Sequence, residues 1–291
     1  MRSFEYAAPA TVADAIALLA GRPGEARPLA GGTDLITQIK EGRRQTELLV
    51  DLKRIEGLNH LAYTPADGLR IGAAVPCVRL QESPEVRRHY PILAYVASLI
   101  GSYQIQNRAS LGGNLCNGAP SADGIPPLIS LGARAVIAGP GGQRTVDVEA
   151  FCTGPGRTVL GPDEILIEIL VPAPGPRTGA VYQRFIPRGE MDIAVAGVGA
   201  FLALNSDGTV AKARIALAAV APTPLRVPTA EAVLEGHAPT PDRFAEAGRI
   251  ASAACSPITD VRGSVEYRRH LVGVLTQRTL TAALEHAKEV G

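Results

Sequence analysis

Two glycine-rich turns are the parts of this 291-residue sequence best suited to bind an anion. The first is segment 30–35 (AGGTDL) and the second is segment 110–114 (SLGGN). Each turn precedes a predicted helix, and paired glycines leave the N–H groups at a helix start open to a ligand. Thr33, Ser110 and Asn114 add side-chain donors. Two such turns could hold a diphosphate from both sides.

Carboxylates accompany both turns. Asp123 follows the second turn and could accept hydrogen bonds from sugar-like hydroxyls. Asp34 would repel a phosphate, so we expect it to cap its helix with the charge turned away. Either turn alone is as typical of a plain strand-to-helix connection as of a phosphate site, but the pair together favours the phosphate site.

Other catalytic patterns are absent from the sequence. The dipeptide Gly-Lys does not occur, which excludes a P-loop, and there is no GxSxG or HExxH motif. The five histidines are scattered. The four cysteines lack the close spacing of zinc or iron–sulfur ligands, so no metal site is predicted. If the chain is part of an enzyme, a bound organic cofactor must supply the chemistry. The cysteines are Cys77, Cys116, Cys152 and Cys255.

Composition excludes several further classes of protein. Lys and Arg number 29 and Asp and Glu 28, a net charge of +1, which argues against a nucleic-acid binder. With 46% hydrophobic and 20% charged residues the chain is globular, and its length predicts two or three domains. No apolar run is long enough to span a bilayer. Scattered thiols without a secretory signal predict a cytoplasmic protein.

The pattern of apolar residues and turn signals predicts alternating short elements. Thr11 is expected to cap a helix that Gly21 ends, and the segment 172–176 (PAPGP) predicts a linker and a domain boundary near residue 176. The predicted elements before it are helix 12–20, strand 27–30, helix 35–42, strand 48–52, strand 69–73, helix 84–100, a helix capped by Ser121 and running to 131, hairpin 133–138 and 143–146, and strand 165–171. Beyond it we predict a hairpin of strands 193–204 and 210–220, and then helices 230–234, 242–254 and 267 to about 285.

Six motifs follow one another along the chain: segments 4–9 (FEYAAP), 30–35, 107–114 (NRASLGGN), 119–123 (APSAD), 160–166 (LGPDEIL) and 185–194 (FIPRGEMDIA). In this order they resemble the FAD-binding medium subunit of the molybdenum hydroxylases, the family of xanthine, carbon monoxide and aldehyde dehydrogenases. The resemblance covers essentially the whole chain.

The resemblance implies an α+β fold. A two-sublobe flavin-binding domain of the PCMH type would occupy residues 1–176, with sublobes of about 1–55 and 56–176. Residues 177–291 would form a C-terminal domain of a three-stranded antiparallel sheet plus helices.

The resemblance also implies the residues that contact FAD. Asp123 would bond the polar chain or ring of the flavin, and Arg184 would lie near the flavin. Ile100 and Leu166 would pack on the cofactor, and Ile193 would lie in the loop that covers the isoalloxazine. For these three apolar residues ordinary core packing is an equal alternative. The diphosphate would be held by Leu29, Ala30, Gly31, Gly32, Thr33, Asp34, Leu35, Ser110, Leu111, Gly112, Gly113 and Asn114.

The implied cofactor is non-covalent FAD, because no histidine accompanies either turn and Cys116 is interpreted as a packing residue. A molybdenum cofactor and [2Fe–2S] clusters are expected only on partner chains: a large molybdopterin-binding subunit and a small iron–sulfur subunit, assembled as a dimer of heterotrimers. No catalytic acid or base is expected on this chain. Thr33-Asp34 departs from the His-Ser pair of the carbon monoxide enzymes, which weakens carbon monoxide as the substrate.

Two other functions stay open at this point. One is a stand-alone FAD-dependent NAD(P)H oxidoreductase with the same fold. The other is a non-catalytic small-molecule or scaffold module. The sequence identifies neither the substrate nor the final electron acceptor, which could be NAD+, a quinone or oxygen.

Overall fold

The first sublobe is a small parallel sheet with two helices. The structure, a computed structural model, describes residues 3–289. The three strands lie in the order β1–β3–β2, all parallel. Thr11 caps the first helix as predicted, since its Oγ1 accepts from Asp14 N at 3.1 Å, and Gly21 ends that helix. The elements are β1 (Glu5–Ala7), α1 (Val12–Ala20), β2 (Ala26–Leu29), α2 (Leu35–Lys40) and β3 (Leu48–Asp51).

The second sublobe is a five-stranded antiparallel sheet in the order β4–β5–β10–β6–β7, together with six helices and a two-stranded ribbon of β8 and β9. Its apolar core lies between the sheet and the helices, around Leu93, Leu128 and Ile137. The elements are β4 (Leu61–Thr64), β5 (Gly68–Gly72), α3 (Cys77–Glu82), α4 (Pro84–His89), α5 (Pro91–Leu99), α6 (Tyr103–Gln106), α7 (Leu111–Asn117), α8 (Ile125–Ser130), β6 (Arg134–Gly139), β7 (Gly142–Asp147), β8 (Cys152–Gly154), β9 (Arg157–Thr158) and β10 (Ile165–Val171).

Two predicted helix boundaries in this sublobe are wrong. The single helix predicted for 84–100 is two helices, α4 and α5, because Tyr90 precedes Pro91 and leaves the helical region at φ −138° and ψ 56°. Ser121 does not cap α8. That helix begins at Ile125 after Gly124, and the segment before it is a turn that delivers Asp123 to partners on the next domain.

The C-terminal part is an antiparallel sheet covered on one face by two long helices. The strands lie in the order β11–β12–β13–β14, so the three long strands match the expectation, and a two-residue strand extends the sheet. Helices α10 and α11 pack on this sheet through residues such as Ala247 and Val272. The elements are β11 (Thr178–Phe185), β12 (Ala196–Leu204), β13 (Val210–Ala218), β14 (Leu225–Arg226), α9 (Pro228–Ala232), α10 (Pro241–Ala254) and α11 (Val265–Glu289).

The other face of this sheet contacts the second sublobe, whose core includes Tyr182 and Ala216. Strand β10 ends at Val171 and β11 begins at Thr178, on either side of the predicted linker. The boundary near residue 176 stays a prediction, and the predicted domain ends at residues 1–2 and 290–291 lie outside the described residues. Among residues 3–289, no helix combines the length and the apolar character needed to cross a membrane.

Candidate functional site

A groove of about 480 Å³ runs between the two sublobes. One wall comes from β2, the turn after it and α2. The other wall comes from the second glycine turn, α7 and the chain from β8 to the start of β10. Gln38 and Asn117 connect the walls, because Gln38 Nε2 donates to Asn117 Oδ1 at 3.0 Å. The groove therefore lies between elements that are already in contact.

The first glycine turn presents free backbone donors to this groove. Within residues 3–289, the N–H groups of Gly31, Gly32 and Thr33 donate to no other residue. Gly32 has a φ of +77°, which an L side chain rarely adopts. A β-carbon there would also lie 2.9 Å from Leu29 Cδ1. The turn consequently needs glycine, and its amides remain available to an anion.

A polar network behind the first turn holds its backbone in place. Lys53 Nζ donates to Ala30 O at 3.0 Å and to Asp51 Oδ1 at 2.6 Å. The Tyr6 hydroxyl donates to the same buried carboxylate. Burial opposes ionisation of Asp51, but the bonds from Lys53 and Tyr6 outweigh it and lower the pKa of that carboxyl. Lys53 is thus a support of the turn that the sequence did not reveal.

Asp34 is at the N-cap position of α2, as expected, but its side chain makes no capping hydrogen bond. The expectation that its carboxylate caps the helix is therefore wrong. Desolvation raises the pKa of Asp34, and the positive charge of Arg43 acts in the opposite direction.

Two hydrogen bonds of Ser110 fix the position of the second glycine turn. Ser110 Oγ accepts from Gly113 N at 2.9 Å, which caps α7, and donates to Ala73 O at 2.8 Å. A β-carbon at Gly112 would lie 2.3 Å from Ala73 O, so only glycine permits this approach. Asn114 Oδ1 accepts from Gly124 N at 3.2 Å and orders the chain that leads to α8.

The first turn contacts the chain that leads directly into the second. A β-carbon at Gly31 would lie 2.0 Å from Arg108 O and 3.0 Å from Ala109 Cα, the two residues that precede the second turn. Both turns therefore face the same groove. The two helix starts, α2 and α7, lie in walls of that groove.

The structure places most of the predicted binding residues in the groove wall, and a smaller set elsewhere. Leu29 and Leu111 are buried behind the two turns. Asp123, Arg184 and Ile193 lie outside the groove wall, so a contact of these residues with a cofactor stays a prediction. The lining residues are Ala30, Gly31, Gly32, Thr33, Asp34, Leu35, Ile100, Ser110, Gly112, Gly113, Asn114 and Leu166.

Asp123 and Arg184 form a buried ion pair between the second sublobe and the C-terminal sheet. Tyr182 donates to Asp123 Oδ1 at 2.6 Å, and Arg184 Nη1 also reaches Asp192 O at 3.4 Å. Burial raises the pKa of the Asp123 carboxyl, and Arg184 and Tyr182 oppose that rise. Burial and the adjacent carboxylate hold the pKa of Tyr182 well above its usual value.

The segment between β11 and β12 carries Ile193, whose side chain is 47% exposed. The neighbouring carboxylate of Asp192 accepts from Ile193 N at 2.8 Å. Arg184 donates both to Asp192 O in this segment and to the Asp123 carboxylate. Asp123 is followed by Gly124, whose N–H donates to Asn114 Oδ1 in the second glycine turn.

Several groove residues were missed by sequence reasoning. The ribbon of β8 and β9 brings Thr153, Arg157 and Thr158 to the wall, and Arg27 and Arg44 line it from the first sublobe. The signal was present in the turn Gly154-Pro155-Gly156, which joins β8 to β9. Cys116 lines the groove as a free thiol, and burial raises its pKa to about 12. Nowhere in residues 3–289 do three or more His, Cys, Asp or Glu side chains converge as metal ligands.

The comparisons with known proteins cover nearly the whole chain. Residues 2–174 match the family model described as the FAD binding domain in molybdopterin dehydrogenase. Residues 181–283 match the CO dehydrogenase flavoprotein C-terminal domain.

Two curated relatives show the same extent of similarity. The putative xanthine dehydrogenase FAD-binding subunit of Escherichia coli K12 is 36% identical over 284 residues, which is 97% of this chain and 96% of the relative. The carbon monoxide dehydrogenase medium chain of Hydrogenophaga pseudoflava is 37% identical over 280 residues, which is 96% of each chain.

Solved structures agree with the family models. Carbon monoxide dehydrogenase from Hydrogenophaga pseudoflava lacking the Mo-pyranopterin moiety matches with a TM-score of 0.94 at 37% identity, covering 98% of both chains. Quinoline 2-oxidoreductase from Pseudomonas putida 86 matches with a TM-score of 0.91 at 30% identity, covering 98% of both chains. The chain therefore belongs to the family of FAD-binding flavoprotein subunits of molybdopterin dehydrogenases.

Proposed function

We propose that this chain is the electron-transfer subunit of a molybdenum hydroxylase complex and that its groove holds FAD. The observation that carries the proposal is that residues of both glycine turns line one groove, with Gly31 packed on the two residues that lead into the second turn. Residues 29–35 and 110–114 would hold the diphosphate, with the free amides of the first turn and the start of α7 as donors. Ile100 and Leu166 would pack on the cofactor.

The residues present fit a diphosphate. Donors from two separate chain segments converge on one groove, and at Gly31, Gly32 and Gly112 a larger side chain would strike neighbouring atoms or force the turns apart. A flavin bound here would accept electrons one at a time and release them in pairs. This chain would contribute binding and orientation of the cofactor, without an acid or base in the substrate chemistry.

The contacts of Asp123, Arg184 and Ile193 with the cofactor form a second part of the proposal. The Asp123–Arg184 pair would position the segment that carries Ile193, because Arg184 Nη1 donates to Asp192 O in that segment. That segment would lie over the flavin and control its exposure to partner chains and to the external acceptor.

The partners belong to the proposal as well. Relatives with 36–37% identity are named medium chain or FAD-binding subunit, which are names for parts of a larger assembly. We infer a large chain with the molybdenum cofactor and a small chain with [2Fe–2S] clusters, combined as a dimer of heterotrimers. A cytoplasmic location is favoured by the free thiol state of Cys77, Cys116, Cys152 and Cys255.

Native mass spectrometry of the protein isolated from its source tests this proposal, with metals and released flavin quantified in the same sample. The expected result is three kinds of chain, two copies of each, with molybdenum, iron and one FAD per copy of this chain. The alternative, a stand-alone NAD(P)H oxidoreductase, predicts a single kind of chain whose flavin is reduced by NAD(P)H without any other chain present. A protein that contains no flavin as isolated and takes up none would contradict both.

A further inference from the structure

The helices α3 to α6 deliver a single side chain to the groove. Of residues 75–108, all of which the structure describes, only Ile100 lines it. Ile100 directly follows α5, where the chain leaves the helical conformation at φ −79° and ψ 92°. The position of Ile100 in the groove therefore depends on the contacts that fix the end of α5.

Two glutamine side chains bind the end of α5. The last carbonyl groups of a helix have no partner within the helix, so they need donors from elsewhere. Gln106 Nε2 donates to Ser98 O at 2.7 Å, and Gln81 Nε2 donates to Ala97 O at 3.2 Å. Gln81 Nε2 also donates to Gln106 Oε1 at 3.0 Å, so the two amides support each other.

The turn that follows Ile100 is bound by the same glutamine on α6. Gln106 N donates to Ser102 O at 2.8 Å, and Gln106 Nε2 makes a long hydrogen bond of 3.5 Å to Gly101 O. Gly101 has a φ of +65°, and a β-carbon there would lie 2.8 Å from Ile105 Cγ2, so the turn packs closely on α6. Gln106 consequently contacts the chain on both sides of Ile100.

The side chain of Gln106 is buried and fully engaged. The residue is 5% exposed, its Nε2 donates to Ser98 O, and its Oε1 accepts from Gln81. A buried amide with partners for both polar atoms holds one orientation, because rotation would break bonds that water does not replace there. Since Ser98 is two residues from Ile100, this fixed amide also fixes the backbone that carries Ile100.

We propose that Gln106 is a positioning residue that holds Ile100 against the flavin of bound FAD. Gln106 itself does not line the groove, so it acts through Ile100. The proposal rests on the function proposed above, in which Ile100 packs on the cofactor. It adds that FAD affinity depends on a buried amide outside the groove.

A double-mutant cycle tests this role by FAD titration of the purified protein, with any chains that accompany it, after its flavin has been removed. I100A is expected to weaken FAD binding about tenfold, because it removes an apolar contact. Q106M is expected to weaken it about fivefold, because methionine cannot donate to Ser98 O. The double variant I100A/Q106M should bind FAD within about twofold of I100A alone, because no contact is then left to position.

Two further variants complete the experiment. Gln104→Met is the matched control, since it makes the same change at an exposed residue of α6, and it should leave FAD affinity unchanged. Gln81→Met removes the amide that supports Gln106 and should give a smaller loss that also disappears in the I100A background. It replaces Q106M in the cycle if urea unfolding shows that Q106M does not fold.

Three results overturn the inference. The first is an FAD affinity of Q106M within about twofold of the wild type. The second is an equal loss from Q106M with and without I100A, because that is the result of a merely structural role. The third is an I100A variant that binds FAD as the wild type does, since Gln106 then has no contact to support. A wild-type protein that takes up no FAD contradicts the proposed function itself, so the two failures are distinguishable.

Discussion

Gly31 lies against the backbone of Arg108, and this contact brings the first glycine turn against the chain that leads into the second. A β-carbon at Gly31 would be 2.0 Å from the Arg108 carbonyl oxygen, well inside any allowed contact. The absence of a side chain at Gly31 is thus required by the neighbouring backbone. The closeness of the turns, on which the diphosphate proposal depends, follows from this contact.

The variant Gly31→Ala is expected to separate the turns. Relief of the clash requires a backbone shift, which costs roughly 2 kcal/mol of unfolding free energy, and flavin content per chain should fall by more than half. Gly57→Ala is the control, since a β-carbon at Gly57 meets no atom within 4 Å. Flavin absorbance against protein mass and urea unfolding measure both effects. Full flavin content in Gly31→Ala would contradict the role of the contact.

Removal of the cap on α7 is expected to affect both stability and flavin binding. Ser110→Ala deletes the acceptor for Gly113 N and the donor to Ala73 O, and should cost about 1 kcal/mol. Thr11→Ala removes a comparable cap from α1, which does not line the groove. Equilibrium unfolding should show similar losses for both variants, whereas only Ser110→Ala should lower FAD affinity. Equal FAD affinities would show that the cap does not position the turn.

The groove loop around Glu164 is expected to be sensitive to acid. Hydrogen bonds from Arg144 lower the pKa of Glu164 below its usual 4.5, so ionised Glu164 stabilises the fold at neutral pH. This contribution is complete above pH 4.5 and is lost as the pH falls through the lower folded pKa. Glu164→Gln should therefore be less stable than the wild type at pH 7, and the difference should shrink in strong acid.

Urea unfolding at several pH values measures that difference. Glu246→Gln is the control, because Glu246 pairs with exposed Arg249 at 3.5 Å and lies on α10, which does not line the groove. A stability difference for Glu164→Gln that does not change with pH would argue against the assigned cause.

Loss of the Asp123 carboxylate is expected to leave Arg184 buried without its partner. Their side chains are 11% and 7% exposed, and removal of one member of such a pair costs about 3 kcal/mol. Asp123→Ala should be strongly destabilised, and Asp123→Leu combined with Arg184→Met should recover part of the loss. A double-mutant cycle by chemical denaturation gives the coupling energy, and a value near zero would mean that the two residues act independently.

Local sequence features predicted the parts of the site that depend on short segments. The two glycine turns were recognisable because paired glycines before a helix leave backbone N–H donors free, regardless of how the rest of the chain folds. Thr11 was identifiable as a helix cap from its local sequence, whereas Ser110 was expected only as a side-chain donor and its capping of α7 became visible in the structure. The break between α4 and α5 was also local, since Pro91 disfavours a helical Tyr90, but the apolar pattern on both sides concealed it.

The remaining site residues depend on contacts between distant segments. Arg27, Arg44 and Arg157 look like ordinary surface charges in the sequence, and only the folded structure shows that they line one groove. Asp123 was expected at the cofactor because of its family motif. Its bonds to Tyr182 and Arg184 cross about 60 residues of sequence and follow from the packing of the C-terminal sheet. Such pairings have no local signature.

The hydrogen bond from Gln38 to Asn117 has a consequence for the kinetics of cofactor exchange. It connects the two walls through the chain's own side chains, which preorganises the cavity, so little chain ordering must accompany FAD entry. Since preorganisation reduces the entropic cost of binding, it favours a long residence time of the bound flavin, which suits a carrier that must stay loaded through many turnovers.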